Sequence, residues 1–559
     1  MLTKAEVQKI LDFQQALEQE RKQWEPLWRD CATYIDPNAD DFGAETERRQ
    51  GGKKGEKVFD NTAIMARDRL AAAHESMLTP RNAKWHGLKS SIAELNEDEE
   101  VKEYFEAVTH RVFAARYSPK ANFSAQIGAY YQCLDTFGTG GCFIDENVGS
   151  GLRYKALHLG ELYISEDFQG RVNSVHRKFT LTAKQALEMM KAGKFESLPD
   201  DIIRAANDPA RKLERAWYLH CVYPSENQYQ PDRNSWPIES HYICVDHQFA
   251  CAEGGYRTMP YAVGRYITGP RETYGRAPGM TVLRDIQMLS EMNKTAVREA
   301  QRLADPPMFL SGNQGANPFS MRPGAMNYGM MSPDGKPLAQ ALAAGADLSA
   351  LLELIQDRRQ SVNDAFLVTL FQILLDKPPN MTATEALLRA QEKGVLLTPT
   401  MGRQQSEFLG PMIEREIDIL TEAGQFDDLP MPDILREAQG GVEIVYDAPL
   451  NRLQRTDEAV GILRTVEALA EPAKVDPTVY DVFQWDKVAR TMADANGAPA
   501  SVLNSLEEMA ALKEARKASE QMQQAAVLGP AIGKTIKDIS QAQAIAGSSP
   551  VPIPMVQPA

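Results

Sequence analysis

GRAPGMTVLRDIQMLSEMNKTAVREAQRLADPP, residues 275–307, and DLSALLELIQDRRQSVNDAFLVTLFQILL, residues 347–375, are the two stretches on which the fold turns. In the first, Val282, Ile286, Leu289, Met292, Ala296, Ala300 and Leu303 recur at three- and four-residue steps and draw one apolar stripe along a helix. Arg284, Asp285, Glu291, Lys294, Arg298 and Arg302 lie off that stripe. Pro306-Pro307 removes two amide donors and stops the helix. In the second, Asp347 fits an N-cap. Leu348, Leu351, Leu352 and Ile355 form a stripe. The polar run Gln356-Asp357-Arg358-Arg359-Gln360-Ser361 interrupts it, and Val362, Phe366, Leu370, Phe371 and Leu374 resume it. At about 1.5 Å per residue each helix is roughly 40–45 Å long. Two matched rods tied at one end fit either a stalk with a tip or a helical hairpin inside a globular domain.

The segment between them, 305–346, has 12 Pro or Gly among its 42 residues, and five methionines. A structureless loop of that length between strong helices is uncommon in a compact domain. Met308, Met326 and Met330 with the aromatics Phe309, Phe319 and Tyr328 suit an adaptable protein-binding surface. The segment therefore reads as an ordered interaction tip.

Outward from this centre the chain is mixed. Residues 3–36 read as helix, opened by a Thr3/Glu6 capping box and restarted at Pro26. Residues 37–57 are a polar Gly/Lys-rich loop. Asp60 caps a helix to Met77, and helices follow near 97–116 and 122–137. From 142 the period changes to two: strands are expected at 142–147, 153–159, 162–165, 172–179, 215–223, 240–246, 248–252 and 261–267, with a short helix at 182–192. Beyond Asp376-Lys377-Pro378-Pro379-Asn380, a helix opens at Thr382/Glu385. It runs toward Gly424 with breaks near Pro399 and Gly402. One strand, 442–447, precedes helices at 451–470, 477–495 and 499–525. The fold class is α+β, mostly α.

The chain has 559 residues, enough for two to four domains. Hydrophobic and charged fractions of 43% and 25% are those of a soluble globular protein. A net charge of −15 argues against gripping nucleic acid through a basic face, but not against letting DNA slide past. Six cysteines without a Cys-x-x-Cys pair fit reduced, intracellular synthesis. Residues 1–20 do not read as a signal peptide, and the longest apolar run, 365–375, is too short to span a membrane.

Sites of chemistry are sparse. His241, Cys244, His247 and Cys251 are metal-ligand types within eleven positions, yet their spacing matches no common zinc pattern and the stretch reads as a hairpin. Gly529 to Thr535 is one residue short of a phosphate-binding loop and follows no strand. No nucleophile elbow is present. No catalytic residue, cofactor or metal is expected, and the chain reads as a non-enzyme.

The order of parts resembles the portal proteins, the head-to-tail connectors of short-tailed bacteriophages. The Trp24–Tyr34 helix followed by Leu78-Thr79-Pro80-Arg81, Trp85 and Leu88 is similar to that family's N-terminal signature, with His86 where the family usually carries an aromatic. Tyr274-Gly275-Arg276-Ala277-Pro278, the helix ending in Asp305-Pro306-Pro307, and Pro323-Gly324-Ala325-Met326-Asn327-Tyr328-Gly329 are similar to further family features. The resemblance spans roughly 5–450.

The resemblance implies a homo-oligomeric ring, usually a dodecamer, at one capsid vertex of the virion, made in the host bacterial cytoplasm. It implies a wing at 1–274, stem helices at 275–304 and 347–375, and a clip at 305–346. A tunnel loop follows at 376–381, then a returning wing helix and strand at 382–450, a helical crown at 451–525, and a flexible tail at 526–559. The tunnel loop Lys377, Pro378, Pro379, Asn380 and Met381 would narrow a bore for double-stranded DNA. Gln356, Arg358, Arg359 and Gln360 would face that channel. The clip residues Met308, Phe309, Phe319, Met326, Tyr328 and Met330 would meet the terminase large subunit and later a tail adaptor. Major capsid and scaffolding proteins would be further partners, with no membrane involved. The alternatives are a scaffold or adaptor that binds through 305–346 without forming a ring, and an enzyme with an unusual metal site at His241–Cys251.

Overall fold

The computed structural model describes residues 2–39, 42, 54–81, 83–147, 151–225, 236–304, 308–310, 348–369, 398–438, 441–446, 461–469 and 482–496, with scattered residues in 320–336 and 509–519. Contacts divide the chain into two units, residues 1–95 with 104–458 and residues 96–103 with 459–559.

The first unit opens with α1 (Lys4–Lys22), whose capping box is closed both ways: Thr3 Oγ1 accepts from the Glu6 amide, and Glu6 Oε2 accepts from the Thr3 amide at 2.7 Å. Pro26 sits in the first turn of α2 (Glu25–Ile35), where its missing amide costs nothing. The helices α3 (Thr62–Leu78), α4 (Glu99–Arg116) and α5 (Phe123–Phe137) follow. The N-cap position of α3 is Asn61, not the expected Asp60; Asp60 lies one residue before it, and its Oδ1 accepts from the Thr62 amide at 2.8 Å.

Among the described residues, nine of the twelve strands overlap the expected segments. β1 (His86–Ser90) was not legible locally. β2 (Thr139–Asn147) lies between β3 (Gly151–Leu157) and β9 (Tyr261–Arg265) in a three-stranded antiparallel sheet. A second antiparallel sheet runs β4 (Leu162–Glu166), β5 (Val172–Thr182), β6 (Arg215–Pro224), β7 (Ile238–Cys244), β8 (Phe249–Tyr256). Alternation gives this second sheet two apolar faces. Leu219, Cys221, Ile243 and Ala250 pack on Val7, Ile10 and Leu11 of α1. Phe179, Tyr218, Cys244 and Cys251 pack on α6 (Ala183–Lys191) and α7 (Asp200–Asn207). Each large side chain buried this way contributes about 1.5–3 kcal/mol. The helix α7 was not expected from the sequence.

Two further strand pairs join distant segments. β1 pairs antiparallel with β12 (Val442–Tyr446), from His86↔Tyr446 to Ser90↔Val442. β10 (Met308–Leu310) and β11 (Met326–Tyr328) pair in parallel.

Helix bounds differ from expectation in three places. The first long helix does not begin at Gly275. A four-residue turn, α8 (Pro278–Thr281), comes first, and the regular helix is α9 (Leu283–Ala304). The second is α10 (Leu348–Ala365). It ends early because Leu367 adopts a left-handed φ of 57°. Residues 370–397, with the rest of that expected helix, lie outside the described residues. Nor does Gly402 break its helix: Thr398–Gln404 is regular, and the irregularity is a π-turn at Gln405–Leu409 before the helix Gly410–Glu422. Pro411 has no amide to continue an α ladder, so Gly410 N donates to Gln405 O, which also accepts from Tyr446 Oη at 2.7 Å.

In the second unit, helices at 461–469 and Trp485–Asn496 fall within the expected C-terminal helical stretch. Arg490 and Glu99 approach to 4.0 Å there.

Candidate functional site

Two of the motifs that carried the resemblance, the Trp24–Tyr34 helix and Tyr274–Pro278, meet in space. Tyr274 is buried; its ring lies edge-on to Trp28 at 5.0 Å and its Oη accepts from the Ile164 amide at 3.4 Å. Arg276 stacks over Trp24 at 5.0 Å and pairs with Glu272. Gly275 donates its amide to Thr139 Oγ1 at 2.8 Å. Gly279 lets α8 press on α2 and the end of α10, where an added Cβ would lie 2.5 Å from Ile35 Cδ1 and 2.9 Å from Phe366 Cζ. The Tyr274–Pro278 motif is thus the anchor by which the paired helices are rooted in the N-terminal helices.

From this anchor α9 and α10 run side by side. Leu283, Ile286 and Leu289 of α9, Ile355 and Val362 of α10, and Phe366 just after it are buried in one core. The expected stripes extend outward through Met292, Ala296, Leu351 and Ile355, which pack on the same core. Ala300 is exposed on α9, and Leu352, placed on the α10 stripe by the sequence, is 50% exposed. Met288, Val297 and Leu354 are exposed as well.

The polar run on α10 is engaged within the chain. Arg358 Nη1 donates to Asp285 Oδ1 of α9 at 3.1 Å. Arg359 donates through Nε and Nη2 to Asp60 Oδ2 at 3.0 and 2.8 Å. Gln360 donates to Asp364 and Thr369, and Gln356 is exposed. Asp60, 5% exposed, also accepts from Asn293 Nδ2 of α9 at 2.6 Å. Burial pushes its carboxyl up, but the bonds from Thr62 and Arg359 outweigh that and hold it below the usual carboxylate range. Beside it, Ser290 Oγ accepts from the Phe59 amide and donates to Lys57 O, both at 3.0 Å, and Lys294 lies over the Phe59 ring. Sequence reasoning saw Asp60 only as a helix cap. Its partners are too distant in the chain to leave a local signal.

Of the tip residues, Met308 pairs with Met326 and Phe309 with Asn327 in the parallel register, and Tyr328 faces Leu310. Met326 is 62% exposed. Asn327 is buried and its amide takes the place of a strand, accepting from Ser320 N at 2.8 Å and donating to Ser320 O at 3.0 Å. Phe319, Met330 and the run Lys377–Met381 lie outside the described residues, as does Gly529–Thr535.

The metal alternative loses its geometry. His241 is on the face of the five-stranded sheet that packs on α1, paired with Glu239 at 3.3 Å. Cys244 and Cys251 are on the opposite face, and His247 is in the exposed turn. Among the described residues no three His, Cys, Asp or Glu side chains converge to hold a metal. No helix among them is long and apolar enough to cross a membrane.

The chain is similar to a probable portal protein of Bordetella phage BPP-1, at 27% identity over 521 residues, 92% of this chain and 91% of that one. It is similar to a portal protein of Salmonella phage epsilon15, at 23% identity over 548 residues, 97% of each. The family of bacteriophage head to tail connecting proteins matches residues 7–503, a span that holds both sheets, the anchor and the paired helices, and the chain belongs to it.

Proposed function

We propose that the chain is a portal protein: identical copies close into a ring, a dodecamer by family habit, at one capsid vertex. Double-stranded DNA passes through its bore, driven inward by the terminase large subunit and later released toward a tail. The observation that carries this reading is the family match over 7–503, which takes in the whole paired-helix element and its root. In this reading α9 and α10 are the stem, 305–346 the clip that meets terminase and then the tail adaptor, and 376–381 the tunnel loop. Residues 451–525 are the crown, and capsid and scaffolding proteins surround the ring. The exposed Met288, Val297, Leu352 and Leu354 are suited to contact the next copy, since one heterologous interface repeated around an axis closes a ring. Of the four bore candidates, Gln356 is exposed and, among the described residues, lacks the intrachain ties that hold Arg358, Arg359 and Gln360. A net charge of −15 disfavours tight binding of DNA to the protein, which suits transport.

Negative-stain imaging with native mass of the purified chain tests this. Closed rings with an axial hole, at a multiple of the 62.1 kDa protomer, are expected. A monomer or open oligomer that persists at high concentration would favour the non-ring adaptor.

A further inference from the structure

The two long helices are held to the body at more than their root. The segment from Lys57 to Asn61 crosses both of them. Its centre is one carboxylate, Asp60, whose two oxygens have separate partners. Oδ1 accepts from the Thr62 amide at the start of α3. Oδ2 takes Asn293 from α9 and the guanidinium of Arg359 from α10. Inward of this contact lie the buried Leu289 and Val362; outward, Ile355 is still buried while Val297, Leu352 and Leu354 are exposed.

We propose that Asp60 is a positioning residue, the clasp that sets where α9 and α10 cross and the fulcrum for the parts of both helices beyond it. A charged acceptor shared by one donor from each helix fixes their relative register in a way apolar contacts do not, because hydrogen bonds are directional and a stripe can slide. Ser290, bonded to the backbone on both sides of the crossing segment, keeps that segment seated on α9. The inference concerns the single chain and does not depend on ring closure.

Hydrogen exchange on the full chain separates the clasp from the cap. Asp60→Ser keeps a side-chain oxygen for the Thr62 amide at the start of α3 but cannot reach the donors of α9 and α10. Expected are unchanged protection of α3 and about tenfold faster exchange in α9 after Ser290 and in α10 before Val362, the loss of a charge-assisted bond. Arg359→Gln, which leaves α3 and its cap intact, should speed exchange in the same two segments. Unchanged exchange of α9 and α10 in either variant would overturn the proposal. So would loosening of α3 to the same degree as α9 and α10 in Asp60→Ser.

Discussion

His86 Nε2 accepts a hydrogen bond from Arg116 Nη2 at 2.8 Å, wholly inside the protein. Arginine has no acceptor, so the donor is fixed, and this ring nitrogen must be unprotonated. The imidazole also stacks on Phe113 at 4.7 Å and lies edge-on to Trp85 at 4.6 Å. It therefore fills the aromatic slot of the N-terminal signature and adds an acceptor that a hydrocarbon ring lacks. His86→Phe should keep the stacking but leave a buried donor less satisfied, costing about 1–3 kcal/mol. Chemical denaturation of the two proteins measures this. An unchanged midpoint would mean that Glu416 alone satisfies the guanidinium.

The same burial predicts how stability responds to acid. Desolvation, aided by Arg116, holds His86 well below its ordinary range; desolvation brings His176 to about 4 and depresses His220 too. The unfolded chain takes up these protons near 6.5, while the folded chain resists them. Stability is therefore present above 6.5 and falls as pH drops, by about 1.4 kcal/mol per pH unit for each such histidine, ending for His176 near pH 4. Denaturant titrations at pH 7 and pH 5 should show the loss, and His176→Gln should show a smaller one. A variant as acid-sensitive as the parent would assign the effect elsewhere.

Arg116 and Glu416 form a fully buried pair joining α4 to the helix Gly410–Glu422, some 300 positions on. Arg116 Nε lies 3.1 Å from both carboxylate oxygens, and Tyr154 Oη donates to Glu416 at 2.6 Å. Removing the charge from one side strands the other. Glu416→Gln should destabilise by about 3–5 kcal/mol, whereas replacing both residues with methionine should cost clearly less than the sum of the single changes. Additive effects in unfolding titrations of the three variants would mean the pair is not coupled.

Gly138 and Gly275 meet backbone to backbone. A Cβ on Gly275 would lie 2.1 Å from Gly138 O, and one on Gly138, whose φ is +74°, would lie 2.4 Å from Gly275 O. Overpacking of this kind costs about 1–3 kcal/mol, and at Gly138 the left-handed backbone adds to it. Gly275→Ala should therefore lower the melting temperature and loosen α8 in hydrogen exchange, since this contact roots the paired helices. A melting temperature equal to the parent's would show that the backbone yields there without penalty.

What was legible in the sequence follows the range of the forces involved. The Thr3/Glu6 box is local, and α1 starts where it indicates; the short helix expected at 182–192 is α6, whose start the structure closes with a Thr182/Gln185 box. The strands of the large sheet were found as short runs of strand-forming residues between turns. β1 was missed because its partner β12 is more than 350 residues away and leaves no local signal. The unbroken helical pattern from Gly275 hid the break before Leu283: docking of Gly279 on Ile35 outweighs local propensity. The apolar stripes of α9 and α10 were right from the root out to Ala296 and Leu351, but no pattern tells which part of a stripe is covered. The clasp was invisible for the same reason as β1, with Asp60 and Arg359 separated by 299 positions.

The tip carries the most specific functional prediction. β10 and β11 form a small parallel pair, closed by the Asn327–Ser320 amide exchange, while α9 and α10 are fixed further in by Asp60, Asp285 and the shared core. Deleting 312–335 removes β11 and its closure but none of those ties. The variant should fold with near-parental stability and form the same oligomer, yet fail to support DNA packaging in an assembly assay, because the surface proposed for terminase is gone. Loss of the oligomer would instead make the tip part of the self-association surface. Lys377→Ala with Asn380→Ala is the complementary change: assembly and packaging should survive, with DNA retention or ejection altered. Unchanged DNA handling in that variant would remove the tunnel-loop assignment and leave the clip assignment standing.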